Sequence, residues 1–281
     1  MKTIDIICPL YNAESYIENL NKSLLKQENV NVKSIKYVLT ESKDRSEEIL
    51  KNNNLNYEVI KKEDFSHSTA RENAARKSDA DIIVFITQDI VIEATDWLEK
   101  LVNPIINGEA DACYSRQLTK YNNIEKYTRE SNYPDKSFIK TKEDIKEMGL
   151  KTFFYSDASS AINAKIFKEL NYYDGKRFMF NEDMYIAYKL INNGYRIKYC
   201  ADSVIYHSHK FTIKQIYDRY KDSGSFFKEN KYMDQYGTTG SGAKLAKYVL
   251  KRILQEHRFD LLFRYPFDMA ARLFGMKAGK R

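Results

Sequence analysis

The sequence predicts an open α/β fold with a mostly parallel central sheet, flanking helices and a C-terminal helical extension. Three observations carry this expectation. Apolar β-branched runs alternate with helix-periodic segments over residues 4–106. The run ADIIVFITQDI at 80–90 breaks off at Thr87-Gln88-Asp89 and so delivers a carboxylate to a strand's carboxyl end, where open α/β sheets bind ligands. Three further polar clusters, Asp157, Glu182-Asp183 and His207-x-His209, also sit at the edges of apolar segments, and together they point to one convergent site.

Residues 4–9 form a short apolar strand, after which Asn12 is expected to cap a helix presenting Tyr16, Ile17, Leu20 and Leu24 on one face. Strands follow at 35–39 and 57–60, with SEEIL at 46–50 in a helix between them. Residues 68–77 are helical by their alanines, 82–86 form the strand ending near Asp89, and 97–106 are helical. Such alternation implies a parallel sheet covered on both faces. From 120 to 149 the pattern turns polar and irregular. A helix over 183–193, closed by Gly194, precedes a strand over 195–205. The expected organisation is a domain over 1–222 and a basic amphipathic helical extension over 223–281.

The chain has 281 residues, 43% of them hydrophobic and 14% aromatic, enough for a sizeable core and unlike a disordered or fibrous protein. No secretory leader and no apolar run of membrane-spanning length is apparent, so a cytoplasmic location is expected. Cys8, Cys113 and Cys200 are odd in number, far apart and set in apolar runs, as reduced buried thiols would be. The net charge of +7 resides entirely in 242–281, where ten Lys or Arg face three acidic residues. Within it, Leu245, Val249 and Ile253 with Ala246, Leu250 and Leu254 form an apolar stripe beside Lys244, Lys247, Lys251 and Arg252, and Phe259 to Phe274 adds several aromatics. That stripe suits either a helix lying on the inner, anionic face of the cell membrane or one packed on the domain or at a homodimer interface. With a charge-balanced body and no nucleic-acid motif, a nucleic-acid partner is not expected. The absence of a Gly-rich phosphate loop argues against a nucleotidyltransferase.

The opening IICPLYNAESYI, with Pro9, Tyr11 and Asn12 directly after the first strand, resembles the start of family 2 glycosyltransferases of the GT-A fold. The resemblance runs through 222 and includes TQD at 87–89 in place of the Asp-x-Asp motif, FFYSDASSAI at 153–162, NED at 181–183 and YHSH at 206–209. Phe65-x-His67-x-x-x-Arg71, Asn73-Ala74-Ala75 and the segment CYSRQ at 113–117 are similar to bacterial rhamnosyltransferases that use dTDP-L-rhamnose. Ala70 and Glu72 stand where that subgroup often has Thr and Asn. The resemblance implies a Rossmann-like GT-A core and a transfer of sugar, L-rhamnose in the first reading, to a lipid-linked saccharide of the bacterial cell surface. A UDP-sugar donor, hexose or N-acetylhexosamine, is the alternative.

A departing nucleoside diphosphate develops negative charge, so a divalent metal, Mg²⁺ or Mn²⁺, or cationic side chains are needed on its oxygens. Asp89 and one of His207 and His209 are suitable ligands, with His207 expected because in the family its loop closes over the donor. Gln88 replaces one carboxylate of the usual pair. Pro9 and Tyr11 can shape and stack on the pyrimidine, and Glu41 can accept from ribose or base. Arg71 can fork onto phosphate, with His67 one helical turn before it. By resemblance, Asp183 is the expected base of an inverting displacement, Glu182 orients it or touches the acceptor, and Asp157 binds sugar hydroxyls across the pocket. Each of these carboxylates also suits a cap or turn.

Overall fold

The structure is a computed structural model that describes residues 1–237 and 239–281. In chain order the elements are β1 (Thr3–Leu10), α1 (Ile17–Leu24), β2 (Asn31–Thr40), α2 (Ser46–Asn52), β3 (Tyr57–Ile60), α3 (His67–Arg76), β4 (Ile82–Ile86), β5 (Ile90–Val91), α4 (Trp97–Ile106), β6 (Ala112–Leu118) and α5 (Ile124–Asn132). They continue as β7 (Phe138–Lys140), α6 (Ile145–Met148), β8 (Ser159–Asn163), α7 (Ala164–Glu169), α8 (Glu182–Asn192), β9 (Ile197–His207), α9 (Ile213–Glu229), α10 (Thr239–Gln255), α11 (Phe259–Leu262) and α12 (Tyr265–Lys280). The chain divides into two compact units, the first comprising 1–117, 135–142 and 153–207, the second 118–134, 143–152 and 208–281.

The first unit is built on a sheet of order β3-β2-β1-β4-β8-β6-β9-β5, with β7 added on β9. The four strands expected from their apolar runs form its parallel half, β3-β2-β1-β4. Beyond β4 the pairing of β8 with β4 and with β6 is antiparallel. Ile4, Ile6, Leu39, Ile82, Val84 and Ile86 from these strands, with Leu20, Leu24, Trp97 and Leu101 from α1 and α4, form one core from which water is excluded. A hydroxyl network lies inside it: Trp97 Nε1 donates to Ser115 and Ser159, and Ser115 Oγ also lies 2.9 Å from Ser203 Oγ. These buried serines satisfy one another, which lets a polar segment such as β8 run through an interior.

Two local expectations are corrected. Asn12 does not cap α1, whose N-cap is Tyr16. Asn12 instead adopts a left-handed conformation at φ 47° and accepts from Lys43 N, turning the chain out of β1. The last strand runs on past 205 to His207, because Ile90 and Val91 of β5 pair with His207 and Tyr206 there. Gly194, at φ 83°, ends α8 as expected.

The second unit draws its small core from distant parts of the chain. Val249 and Ile253 of α10 are fully buried with Ile124 and Tyr127 of α5. Of the stripe that suited either a membrane surface or packing, Val249 and Ile253 are packed in this core, while Leu245 is partly buried and Leu254 is exposed. Helices α9 and α12 approach so closely that a Cβ on Gly224 would lie 2.5 Å from Met276 O, and one on Gly275 would overlap Tyr217 O. Thr212 begins α9 with a capping box, reciprocal with Gln215.

Candidate active site

The order of the strands places the site. The chain leaves β1 outward through β2 and β3, then crosses to β4 on the other side of β1, so β1 and β4 flank the point where strand order reverses. Their pairing ends at Ile7 with Phe85, and beyond it the two carboxyl ends separate. Across this opening Tyr11 N donates to Gln88 Oε1 at 2.8 Å and Gln88 Nε2 donates to Tyr11 O at 3.0 Å. The ring of Tyr11 is 40% exposed, and Lys62 Nζ stands 5.4 Å from its centre, with Lys62 drawing the phenol's pKa down. Pro9 is buried within β1 opposite Val38, on a stretch where β4 no longer pairs and a missing N–H costs nothing. Glu41 is exposed directly beyond β2.

The β5–β9 ladder brings together Asp89 and His207, which are far apart in sequence: Oδ2 and Nε2 are 3.4 Å apart. The other ring nitrogen, Nδ1, lies 3.0 Å from Gln117 Oε1. Gln117 Nε2 in turn donates to Ser156 Oγ at 2.8 Å. With its proton on Nδ1 the imidazole would donate to Gln117 Oε1 and present Nε2 toward Asp89, as a supported metal ligand does. A carboxylate oxygen with an imidazole nitrogen fits a divalent cation and leaves further positions for diphosphate oxygens. His209 belongs to the second unit, where Glu125 accepts from its backbone N–H at 2.9 Å and lies 3.2 Å from its Nδ1.

Behind the opening lies a buried charged group. Arg71 of α3, 3% exposed, donates through Nη1 to Glu182 Oε1 at 3.1 Å and through Nη2 to the Asp157 carbonyl at 3.3 Å. Its Nε makes no hydrogen bond and faces Asp157 Oδ2 at 4.0 Å. His67 Nδ1 lies 3.3 Å from Arg71 Nη1, and the His67 carbonyl accepts from the same nitrogen. Both oxygens of Asp157 accept hydrogen bonds, from Ser160 at 2.6 Å and from the Tyr173 hydroxyl at 2.7 Å. Asn181, left-handed at φ 61°, turns the chain into α8 so that Glu182 and Asp183 occupy its first turn. Burial, then Glu182 and Asp157, push Asp183 well above the ordinary carboxylate pKa. Burial also raises Asp157 and Glu182, against the opposing charge of Arg71.

The sequence profile of glycosyl transferase family 2 matches residues 5–171. The chain belongs to glycosyl transferase family 2. An O-antigen chain rhamnosyltransferase of Salmonella typhimurium is 31% identical over 99% of this chain and 89% of its own length. One from Salmonella anatum is 30% identical over 100% of this chain and 90% of its own. Among solved structures, a Pyrobaculum calidifontis mannosyltransferase in complex with GDP-Man and Mn²⁺ superposes with a TM-score of 0.62 at 14% identity, covering 98% of this chain and 86% of that one. S. aureus TarS in complex with UDP-GlcNAc gives 0.57 at 16% identity, covering 99% and 91%. These likenesses establish the GT-A fold of the enzyme.

In this family 2 glycosyltransferase the structure groups Pro9, Tyr11, Gln88, Asp89 and His207 at the carboxyl end of the sheet, and Arg71, His67, Asp157, Glu182 and Asp183 around one buried guanidinium. Sequence reasoning passed over four residues of this neighbourhood. Gln117 appeared only as part of a motif, and Lys62 gave no signal because its partner, Tyr11, is distant in sequence. Tyr173 is fully buried, and Glu72 accepts from the backbone N–H groups of Tyr173 and Gly175, both at 3.1 Å, so it holds the loop that carries Tyr173. In the sequence Glu72 is only a departure from the subgroup's usual residue, and an acid on an otherwise alanine-rich helix face is the physical hint to its role.

Proposed function

We propose that this glycosyltransferase transfers L-rhamnose from dTDP-L-rhamnose, with inversion, to a lipid-linked saccharide at the cytoplasmic face of the membrane during bacterial surface-polysaccharide synthesis. The observation that carries the reading is the near full-length identity to two O-antigen chain rhamnosyltransferases.

The acceptor hydroxyl loses its proton to Asp183 as its oxygen bonds to the anomeric carbon, and the bond to the nucleoside diphosphate breaks on the opposite face. Asp183 is suited to this role because its raised pKa makes it a stronger base than an exposed carboxylate. Glu182 and Arg71 fix the start of α8, and Asp157, held by Ser160 and Tyr173, keeps Arg71 from swinging away. Tyr11 receives the pyrimidine, Lys62 adds positive charge beside it, and Glu41 is placed to accept from ribose or base. Asp89 and His207 would hold Mg²⁺ or Mn²⁺, with Gln117 orienting the histidine. When bound, such an ion supplies positive charge to the departing diphosphate.

Calorimetric titration with dTDP-L-rhamnose, UDP-glucose and UDP-N-acetylglucosamine, each with Mn²⁺ and with chelator, tests the donor assignment. Selective, metal-strengthened binding of the dTDP sugar is expected. Preference for a UDP sugar would overturn the donor while keeping the mechanism.

A further inference from the structure

Among the described residues, the face of α12 turned away from α9 presents a row of large apolar side chains to solvent. From Phe259 to Lys280 the backbone is helical almost throughout, since Phe263 and Arg264 join α11 to α12 with helical torsions. Residues 263, 266, 267, 270, 273, 274 and 277 then recur at three- and four-residue steps on one side. They read Phe, Pro, Phe, Ala, Leu, Phe and Lys. Phe263 is 85% exposed, Phe267 64%, Phe274 59% and Leu273 51%. The opposite side, with Asp268, Ala271, Gly275 and Gly279, is buried. Large apolar side chains are rarely left in water as a contiguous stripe.

The charges along the face bear on what could cover it. Arg264 and Lys277 are exposed along the stripe, and the helix's one acidic side chain, Asp268, is buried on the other side with Arg272 Nε at 2.6 Å. Asp260, the exposed acid one turn before Phe263, is already paired with Arg258 at 2.7 Å, so a second copy of this face would set Arg264 and Lys277 against like charges. An anionic lipid surface meets both the aromatics and the cations. No helix among the described residues is long and apolar enough to cross a membrane, so this one would lie flat.

We infer that the Phe263-Phe267-Leu273-Phe274 face of α12, flanked by Arg264 and Lys277, docks the enzyme on an anionic membrane surface. The inference deepens the lipid-linked acceptor reading and rests on it for its purpose, but vesicle binding is measured without donor or acceptor, so each can fail alone.

The test is sedimentation of the full chain with vesicles of phosphatidylglycerol and phosphatidylethanolamine, and with phosphatidylcholine vesicles, at low and high salt. The parent is expected to partition onto the anionic vesicles and to be released by salt. The F263S/F267S/F274S variant should lose at least tenfold in partition while its thermal transition is kept. A Phe267→Trp variant should show a blue shift in emission with anionic vesicles. Equal partition of parent and triple variant, no partition of the parent, or a parent dimer that the triple variant converts to monomer would overturn the proposal.

Discussion

Gln88 holds the backbone of Tyr11 with both ends of its amide, accepting from Tyr11 N at 2.8 Å and donating to Tyr11 O at 3.0 Å. A carboxylate at this position could only accept. An amide closes both bonds and ties the carboxyl ends of β1 and β4 across the cleft, which gives a physical reason for glutamine in TQD.

Gln88→Ala therefore loosens the turn that carries Tyr11. Two hydrogen bonds contribute roughly 1–3 kcal/mol, so donor affinity should fall about 10- to 100-fold with the fold retained. Gln88→Glu should lie between parent and Gln88→Ala. Calorimetry with the dTDP sugar measures both, and unchanged affinity in Gln88→Ala would remove the clasp from the account.

Among the described residues, Arg71 is the cation that lies against both Glu182 and Asp157 in this buried group. Replacing it with Met leaves these carboxyls without a counter-charge, a loss of about 3–5 kcal/mol. Urea denaturation at pH 7 should show that drop. Because both carboxyls are then more readily kept protonated, the deficit should shrink as pH falls.

With Asp183 as the proposed base, the acidic limb of transfer is expected to follow it. Its pKa is raised, so the base is protonated and inactive at pH values where an exposed carboxylate is already ionised, and the rate climbs only at higher pH. Asp157→Asn removes a negative neighbour and leaves Arg71 to act on Asp183. Both effects lower its pKa. The limb of kcat/KM against pH should therefore move to lower pH, whatever happens to the maximal rate. A limb that stays or rises would contradict the electrostatic coupling.

The parallel half of the sheet was legible because β1 to β4 are short apolar runs with helical spacing between them. Asp89 was legible because β4 ends so sharply. The antiparallel half was not, since the hydroxyl network that makes β8 an interior strand joins Ser115, Ser159 and Ser203 from three distant segments. Likewise α5 looks polar until Ile124 and Tyr127 meet Val249 and Ile253, and the same contact packs two residues of a stripe that periodicity alone left open between surface and core. The meeting of Asp89 with His207 was expected from the family resemblance, but the two-residue strand β5 that brings them together is too short to leave a periodicity. Gln117 could not be assigned because its role exists only through His207.

Glu125 gives the second unit an acid-sensitive joint. Burial alone would raise its pKa, but the hydrogen bond from His209 and the charge of Arg129 outweigh it and hold Glu125 at about 2. A folded-state pKa below the unfolded one stabilises fully above about pH 5, and the contribution is lost as pH falls toward 2. Glu125→Gln should cost on the order of 2 kcal/mol at pH 7. The difference from parent should narrow toward pH 3 in thermal unfolding, and a pH-independent difference would count against the ion pair.

The most direct test of the account compares parent and Asp183→Asn for transfer of radiolabelled rhamnose from dTDP-L-rhamnose, with Mn²⁺, into a lipid-linked saccharide fraction. The parent should label the fraction, and the variant should be slower by about 100- to 10,000-fold while binding donor with nearly unchanged affinity. Transfer by Asp183→Asn within a few-fold of the parent would show that Asp183 is not the base.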